Sequence, residues 1–202
     1  MVEQTKSHSP AIVARAFGRL AAAAAAIAIT LMAFTSIAAA HPRRCDNAHS
    51  SIASTPRALI RDAVVCLINK QRAVHHLPGL SANPRLDNSA QGWTDEMVRH
   101  RSFTHGADFA GRISAAGFDW SNAGENIAFG YQTPSQVVGG WMASTGHCQN
   151  ILSPVFREVG TGVSDGVASR GSPGTWTQDF GLLMGEPPAS GNDGPAAGCP
   201  YR

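Results

Sequence analysis

Four cysteines, eight histidines and one serine set between glycines are the residues of this 202-residue chain whose types and spacing could do chemistry. Cys45, Cys66, Cys148 and Cys199 lack the Cys-x-x-Cys spacing of a redox or zinc site. In an exported chain an even count reads as two disulfides, with three connectivities open. Cys45–Cys66 with Cys148–Cys199 is the favoured pairing: the first would pin the chain ahead of the first helix, the second a Gly/Pro-rich tail. Gly162-Val163-Ser164-Asp165-Gly166 matches the G-x-S-x-G string of hydrolases. That chemistry needs a strand-to-helix elbow exposing the serine. Here Asp165-Gly166 is a turn signal and no helix follows. His147 and Cys148 are adjacent, and neighbours in sequence rarely turn both side chains to one atom. His100 and His105 lie five apart, off a common helical face, and His75-His76 fit a helix C-terminus. Trp93 and Trp141 fit core stripes. Trp120, in a loop just before Gly124-Glu125, is the aromatic expected nearest a cleft.

The compartment decides how the cysteines are read. Lys6, Arg15 and Arg19 precede an apolar run from Leu20 to Phe34, and Ala38-Ala39-Ala40 offers small residues for a peptidase. This is the order of a secretory signal over 1–40, with cleavage between Ala40 and His41. An uncut membrane anchor is the alternative, since about 20 apolar residues span a bilayer. No later stretch is long enough to span. Pro42-Arg43-Arg44 before Cys45 argues against a lipid anchor. Of 16 basic and 14 acidic residues, the signal removes Lys6, Arg15, Arg19 and Glu3, leaving thirteen of each. A near-neutral domain without a basic run gives no reason to expect nucleic acid as partner.

The elements that must position the chemistry come in a simple order. Residues 41–55 are a polar lead-in. Thr55-Pro56 opens an amphipathic helix to about Val74, with Leu59, Ile60, Ala63, Val64, Leu67 and Ile68 at helical spacing. Asn83-Pro84 opens a second, with Leu86, Ala90, Trp93 and Met97 on one stripe. Ala110 to Ala116 is a short third helix closed by Gly117, and Thr133-Pro134 opens a fourth with Val137, Val138, Trp141 and Met142 inward. Strands are expected at Asn126–Phe129, Glu158–Val163 and Thr175–Leu183, and a Gly/Pro-rich tail fills 185–202. Helices first and antiparallel strands later give an α+β fold, with a small sheet packed between helices.

Four strings then fall in order: Ser102-Phe103-Thr104-His105; Gly124-Glu125-Asn126-Ile127-Ala128; Trp141 through Gly146-His147-Cys148-Gln149-Asn150-Ile151-Leu152; and Glu158-Val159-Gly160-Thr161-Gly162 with Thr175-Trp176-Thr177-Gln178-Asp179-Phe180-Gly181. In this order they resemble the CAP superfamily (the SCP domain of cysteine-rich secretory, antigen-five and pathogenesis-related proteins), in its bacterial branch. The resemblance covers roughly Leu59 to Leu183 and implies a domain over 56–184. It implies a three-layer α-β-α sandwich with a small, mainly antiparallel sheet. It also implies a shallow cleft lined by two histidines and two glutamates. The histidines fall on His105 and His147 and one glutamate on Glu125. The other would stand where this chain has Ser144, which removes one negative charge from the cleft.

Two imidazoles and Glu125 would make a partial, weak site for a divalent ion such as zinc, which takes four ligands. Alternatively they form a structural hydrogen-bonded network, or Glu125 acts as a catalytic base. No cofactor is required. The resemblance leaves three classes open: a secreted binding or interaction module for a lipid, envelope component or protein; a secreted hydrolase using Glu125 with His105 and His147; or an inert envelope protein.

Overall fold

The computed structural model describes residues 44–169, 171–189 and 199. The expected signal over 1–40 and most of the tail lie outside the described residues. One compact unit spans Pro42–Arg202.

The elements of this unit, in chain order, are α1 (Arg57–Val74), β1 (Ser81–Ala82), α2 (Pro84–His100), α3 (Phe109–Ala115), β2 (Trp120–Phe129), α4 (Pro134–Met142), α5 (Thr145–Ile151), β3 (Glu158–Ser164) and β4 (Thr175–Leu183). The strands form one sheet in the order β1-β3-β4-β2. β2 and β3 pair antiparallel with β4, while β1 pairs parallel with β3. Helices cover both faces, so the fold is the α+β arrangement the sequence implied.

Local chemistry sets the helix starts. Asn83 caps α2 by accepting from the amides of Arg85 and Leu86, and Thr133 caps α4 by accepting from Gln136 N. Each is followed by a proline at the first helical position, whose missing N–H costs nothing there. At α1 Pro56 itself occupies the cap position and makes no capping bond, so Thr55 is not the cap. Leu59, expected inward on α1, is exposed, and Arg72 takes a place in the buried face instead.

Alternation along the strands separates the two helical layers. Gly160 and Gly162 on β3 face α2 so closely that an added Cβ would lie 2.1 Å from the Leu86 carbonyl carbon or 2.2 Å from Ala90 O. Val159 and Val163 point the other way, into a core with Ile60, Val64 and Ile68 of α1, Val137, Val138 and Trp141 of α4, and Trp176 and Phe180 of β4. Disulfides Cys45–Cys66 and Cys148–Cys199 clamp this layer, as the favoured pairing expected.

Side chains close both edges of the sheet. β1 covers only Glu158 and Val159 of β3. Beyond it, Asp87 accepts from Thr161 N and Arg61 donates to Thr161 O, while Gln91 both accepts from Val163 N and donates to Val163 O. On the opposite edge Asn150 donates to Glu125 O and Trp141 to Ile127 O. Backbone groups that would otherwise invite another strand are thereby used.

Arg72 is wholly buried and has no acidic partner among the described residues. It donates to the carbonyls of Pro78, Ile151 and Ser153, tying the end of α1 to the end of α5. Burial lowers its pKa to about 10, so it still carries its charge at neutral pH. No helix among the described residues is long and apolar enough to cross a membrane.

Closeness of α2 to β3 makes Gly160 a sharp test. Gly160→Ala should force the helix off the sheet and cost about 3 kcal/mol, the upper range for overpacking, read as a lower urea midpoint at unchanged slope. A variant as stable as the parent would mean that α2 sits less tightly on β3.

Candidate functional site: a buried carboxyl pair beside an aromatic groove

Glu125 on β2 stands opposite Asp179 on β4. Cross-strand partners share a face, so two carboxyls lie side by side beneath α2 and α3. The Glu125 side chain is only 1% exposed. Its Oε2 accepts from Arg112 of α3 at 2.5 Å, and its Oε1 lies 2.8 Å from His105 Nδ1. A carboxylate accepts only, so Nδ1 must carry the proton. Both oxygens of Glu125 are therefore engaged.

Trp93 holds the partners in place. The Arg112 guanidinium lies 3.8 Å above its ring centroid, a cation–π contact. Its Nε1 donates to Thr104 O at 2.9 Å, which fixes the loop carrying His105. The next residue, Gly106, has φ +70° and passes so near Trp93 that an added Cβ would lie 2.8 Å from the ring. Only glycine lets the loop bend there. Trp93 thus does more than fill the expected core stripe. Trp120, expected nearest the cleft, instead donates to Ser114 Oγ and packs with the Leu86, Ile113 and Phe118 cluster.

Asp179, like Arg112, is a site residue that sequence reasoning missed. Its carboxyl is wedged beside Ser89 and Glu125, yet neither of its oxygens nor the Ser89 hydroxyl makes a well-formed hydrogen bond. Burial, opposed by the Ser89 hydroxyl and reinforced by the charge of Glu125, pushes its pKa up to about 8. At neutral pH Asp179 is mostly a neutral acid, so Arg112 has only one carboxylate to balance.

His147 approaches from α5, on the other helical layer. Asn126 Nδ2 donates to its backbone carbonyl, and Asn150 donates to Asn126 Oδ1, which locks α5 against β2. The ring is half-buried and makes no hydrogen bond to a described residue. Burial first, and the charge of nearby His105 second, lower its pKa, so the neutral imidazole is favoured. It lines a groove of about 340 Å³ that crosses the outer edge of β2. Phe103, Phe129, Tyr131 and Trp141 wall the groove, and Ser144 and His147 are its polar side chains other than the Tyr131 hydroxyl. Ser144 stands at the N-cap position of α5 but makes no capping bond.

The structure therefore joins His105 to Glu125 directly and sets His147 nearby, facing the groove. Among the described residues no group of three or more His, Cys, Asp or Glu side chains could hold a metal ion. With both oxygens of Glu125 spent on Arg112 and His105, a divalent ion would be left two imidazoles, fewer than the three protein ligands of a typical catalytic zinc. The residues as arranged do not fit that group. Ser164 ends β3 and uses its hydroxyl to accept from Gly166 N within a turn, and Cys148 is oxidised. Neither is a nucleophile here.

The raised pKa of Asp179 gives a signed prediction. The folded state keeps a proton that the unfolded state releases above 3.8. Stability should fall as pH rises from about 4 to about 8 and level off above that. Asp179→Asn stays neutral throughout and should flatten that slope while unfolding at the higher temperature near pH 8. Thermal melts across this range check it; parallel profiles for the two proteins would remove the assignment.

Comparisons with known proteins bear on the family and the fold. The cysteine-rich secretory protein family, CAP, matches residues 65–180. The Bacillus subtilis protein YkwD, itself uncharacterized, is 37% identical over 122 residues, which cover 58% of this chain and 45% of that one. A Bacillus subtilis membrane protein, YlbC, is 30% identical over 104 residues, covering 50% of this chain and 30% of that one. The chain thus spans less than half the length of these relatives. Among solved structures, an extracellular SCP-domain protein of Bacillus anthracis aligns with TM-score 0.55 at 25% identity over 63% of this chain and 44% of that one. An outer surface protein of Borrelia burgdorferi shares the fold with TM-score 0.53 at 18% identity, over 60% of this chain and 90% of that one. The family match spans more than half of the chain, and the chain belongs to the cysteine-rich secretory protein (CAP) family.

Proposed function

We propose that the protein is exported and works outside the cell as a binding module, with its ligand seated in the groove across β2. Two disulfides and the extracellular relative of Bacillus anthracis support export. The observation that carries the binding reading is the groove itself: about 340 Å³, walled by aromatic rings, with Ser144 and His147 as polar anchors. That is the small end of the range for ligand sites, about 300–1,000 Å³, and it has their usual pattern of apolar walls with few polar groups.

The hydrolytic reading has less support. Its base would be Glu125, a carboxylate 1% exposed and already paired with a guanidinium and an imidazole. Such a group orients its neighbours rather than meeting a substrate. A base must reach the proton it takes, about 2.6–3.2 Å away.

Titration with 1-octanol, followed by amide shifts of the labelled 41–202 domain, tests the binding reading. Saturable shifts are expected at Ile127, Ala128 and Phe129, and Tyr131→Ala should abolish them. Absence of saturable shifts in the parent protein would sink it. A second measurement bears on Glu125. Glu125→Gln should destabilise the fold by about 3 kcal/mol, as when one partner of a buried ion pair is removed. A fully stable Glu125→Gln that had lost a measured hydrolytic activity would favour catalysis instead.

A further inference from the structure

We infer that the Cys148–Cys199 disulfide is a redox-sensitive latch on the groove: its reduction by a dithiol releases the first turn of α5 and takes Ser144 and His147 out of the groove, while the sheet and the other helices stay folded. The inference adds a regulation to the binding reading above and rests on that reading for its consequence.

The two disulfides hold different things. Cys45–Cys66 ties the lead-in to the middle of α1, an 18-residue helix that also buries Ile60, Ala63, Val64 and Ile68. Cys148–Cys199 ties a seven-residue helix whose buried residues are Cys148 and Ile151. A helix that short does not persist by its own propensity. One of its two buried side chains is half of the disulfide itself.

The other anchors of α5 are unevenly placed. Asn150 donates to Glu125 O and to Asn126 Oδ1, and Arg72 donates to Ile151 O. These hold the last turn. The groove takes polar side chains from the other end, Ser144 at the N-cap position and His147. Ser144 makes no capping bond, and the His147 carbonyl accepts from Asn126 Nδ2 at 3.2 Å, the long end of the hydrogen-bond range. Loss of the Cys148 link therefore frees the end that faces the groove before the end tied to β2. The aromatic walls stand on β2, on α4 and in the loops, and stay in place.

The two sulfurs differ in access. Cys148 is wholly buried, whereas Cys199 is partly exposed. A thiolate of the reductant attacks Cys199 Sγ. The S–S bond breaks, a mixed disulfide forms on Cys199, and the Cys148 sulfur leaves with the electron pair and takes a proton. The second thiol of the reductant then displaces Cys199 as a thiolate, which is protonated in turn. The protein gains two electrons and two protons, and the dithiol becomes a disulfide. In apolar surroundings the Cys148 thiol stays protonated and inert until α5 opens.

Hydrogen exchange read by mass spectrometry tests the latch in a Cys45→Ser/Cys66→Ser variant, where dithiothreitol can reduce only Cys148–Cys199. On reduction, amides 147–152 should exchange about tenfold faster, with α1, β3 and β4 unchanged, as for a local opening. Cys199→Ser in the otherwise unchanged chain should show the same without reductant, and serves if the double variant does not fold. Unchanged exchange in α5 after full reduction overturns the inference. Equal acceleration in α1, β3 and β4 also overturns it, since that is the behaviour of a staple for the whole domain. Amide shifts with 1-octanol separate the latch from the binding reading. Shifts that are present in the oxidised protein and lost on reduction support both. Shifts that survive reduction overturn the latch alone. No saturable shift in the oxidised protein sinks the binding reading and, with it, the regulatory role.

Discussion

Two carboxyls side by side on one face of the sheet, Glu125 and Asp179, constrain the rest of this layer. They cannot both ionise in a nearly dry place without heavy cost. The structure divides the burden. Burial pushes the Asp179 pKa up, which favours its neutral form, and Glu125 is matched by Arg112. Arg112 must then be held over the pair, and the Trp93 ring holds it. The same tryptophan fixes the loop through Thr104, and that loop delivers His105 to the free oxygen of Glu125. One electrostatic requirement on β2 and β4 thus places side chains from α2, α3 and the loop between them.

The other helical layer meets a different constraint. β2 is an edge strand, and its outward carbonyls at Glu125 and Ile127 need donors. Asn150 and Trp141 supply them, and both flank the segment that carries Ser144 and His147. Sealing the edge therefore brings the polar end of the groove into position. Cys148, one residue after His147, is oxidised to Cys199, and Arg72 donates to Ile151 O at the end of α5. A seven-residue helix with little apolar surface is held by a disulfide, an asparagine network and a buried guanidinium. Isolated helices of that length are not stable in water.

These two constraints explain what could be read from the sequence. Caps and prolines act through neighbours in the chain, so Asn83-Pro84 and Thr133-Pro134 mark α2 and α4. The apolar stripes of α1 and α2 mark most of their buried faces. β2 is expected from Asn126 but begins at Trp120, because its first residues are polar and largely exposed, and it is pairing with β4 that makes them a strand. β1, two exposed residues, exists only through its parallel partner. α5 has no apolar period and gives no helix signal of its own beyond the end of the fourth helix. His105, Glu125 and His147 are legible through the order of the family's motifs. Asp179 and Arg112 are not, because nothing local says that an aspartate inside Thr177-Gln178-Asp179-Phe180 sits opposite Glu125. The signal that could have found Asp179 is an acid within a strand whose other residues carry no charge, which requires a neutralising partner elsewhere.

The position of Glu125 bears on why its charge does not reach the groove. Along β2 it points to the α2–α3 layer, while the carbonyl of the same residue points outward and is taken by Asn150. The strand therefore lies between the ion pair and the polar end formed by Ser144 and His147. Glu125, Arg112 and His105 satisfy one another on one side. On the other, the groove is bordered by residues without formal charge. A change at Ser144 alters the charge of the groove without touching the pair that holds α3 and the His105 loop. A change at Glu125 disturbs that frame first. The two sides of one strand thus separate the buried ion pair from the groove, and that separation makes Ser144, rather than the buried acid, the position at which the groove's charge can change without unsettling the fold.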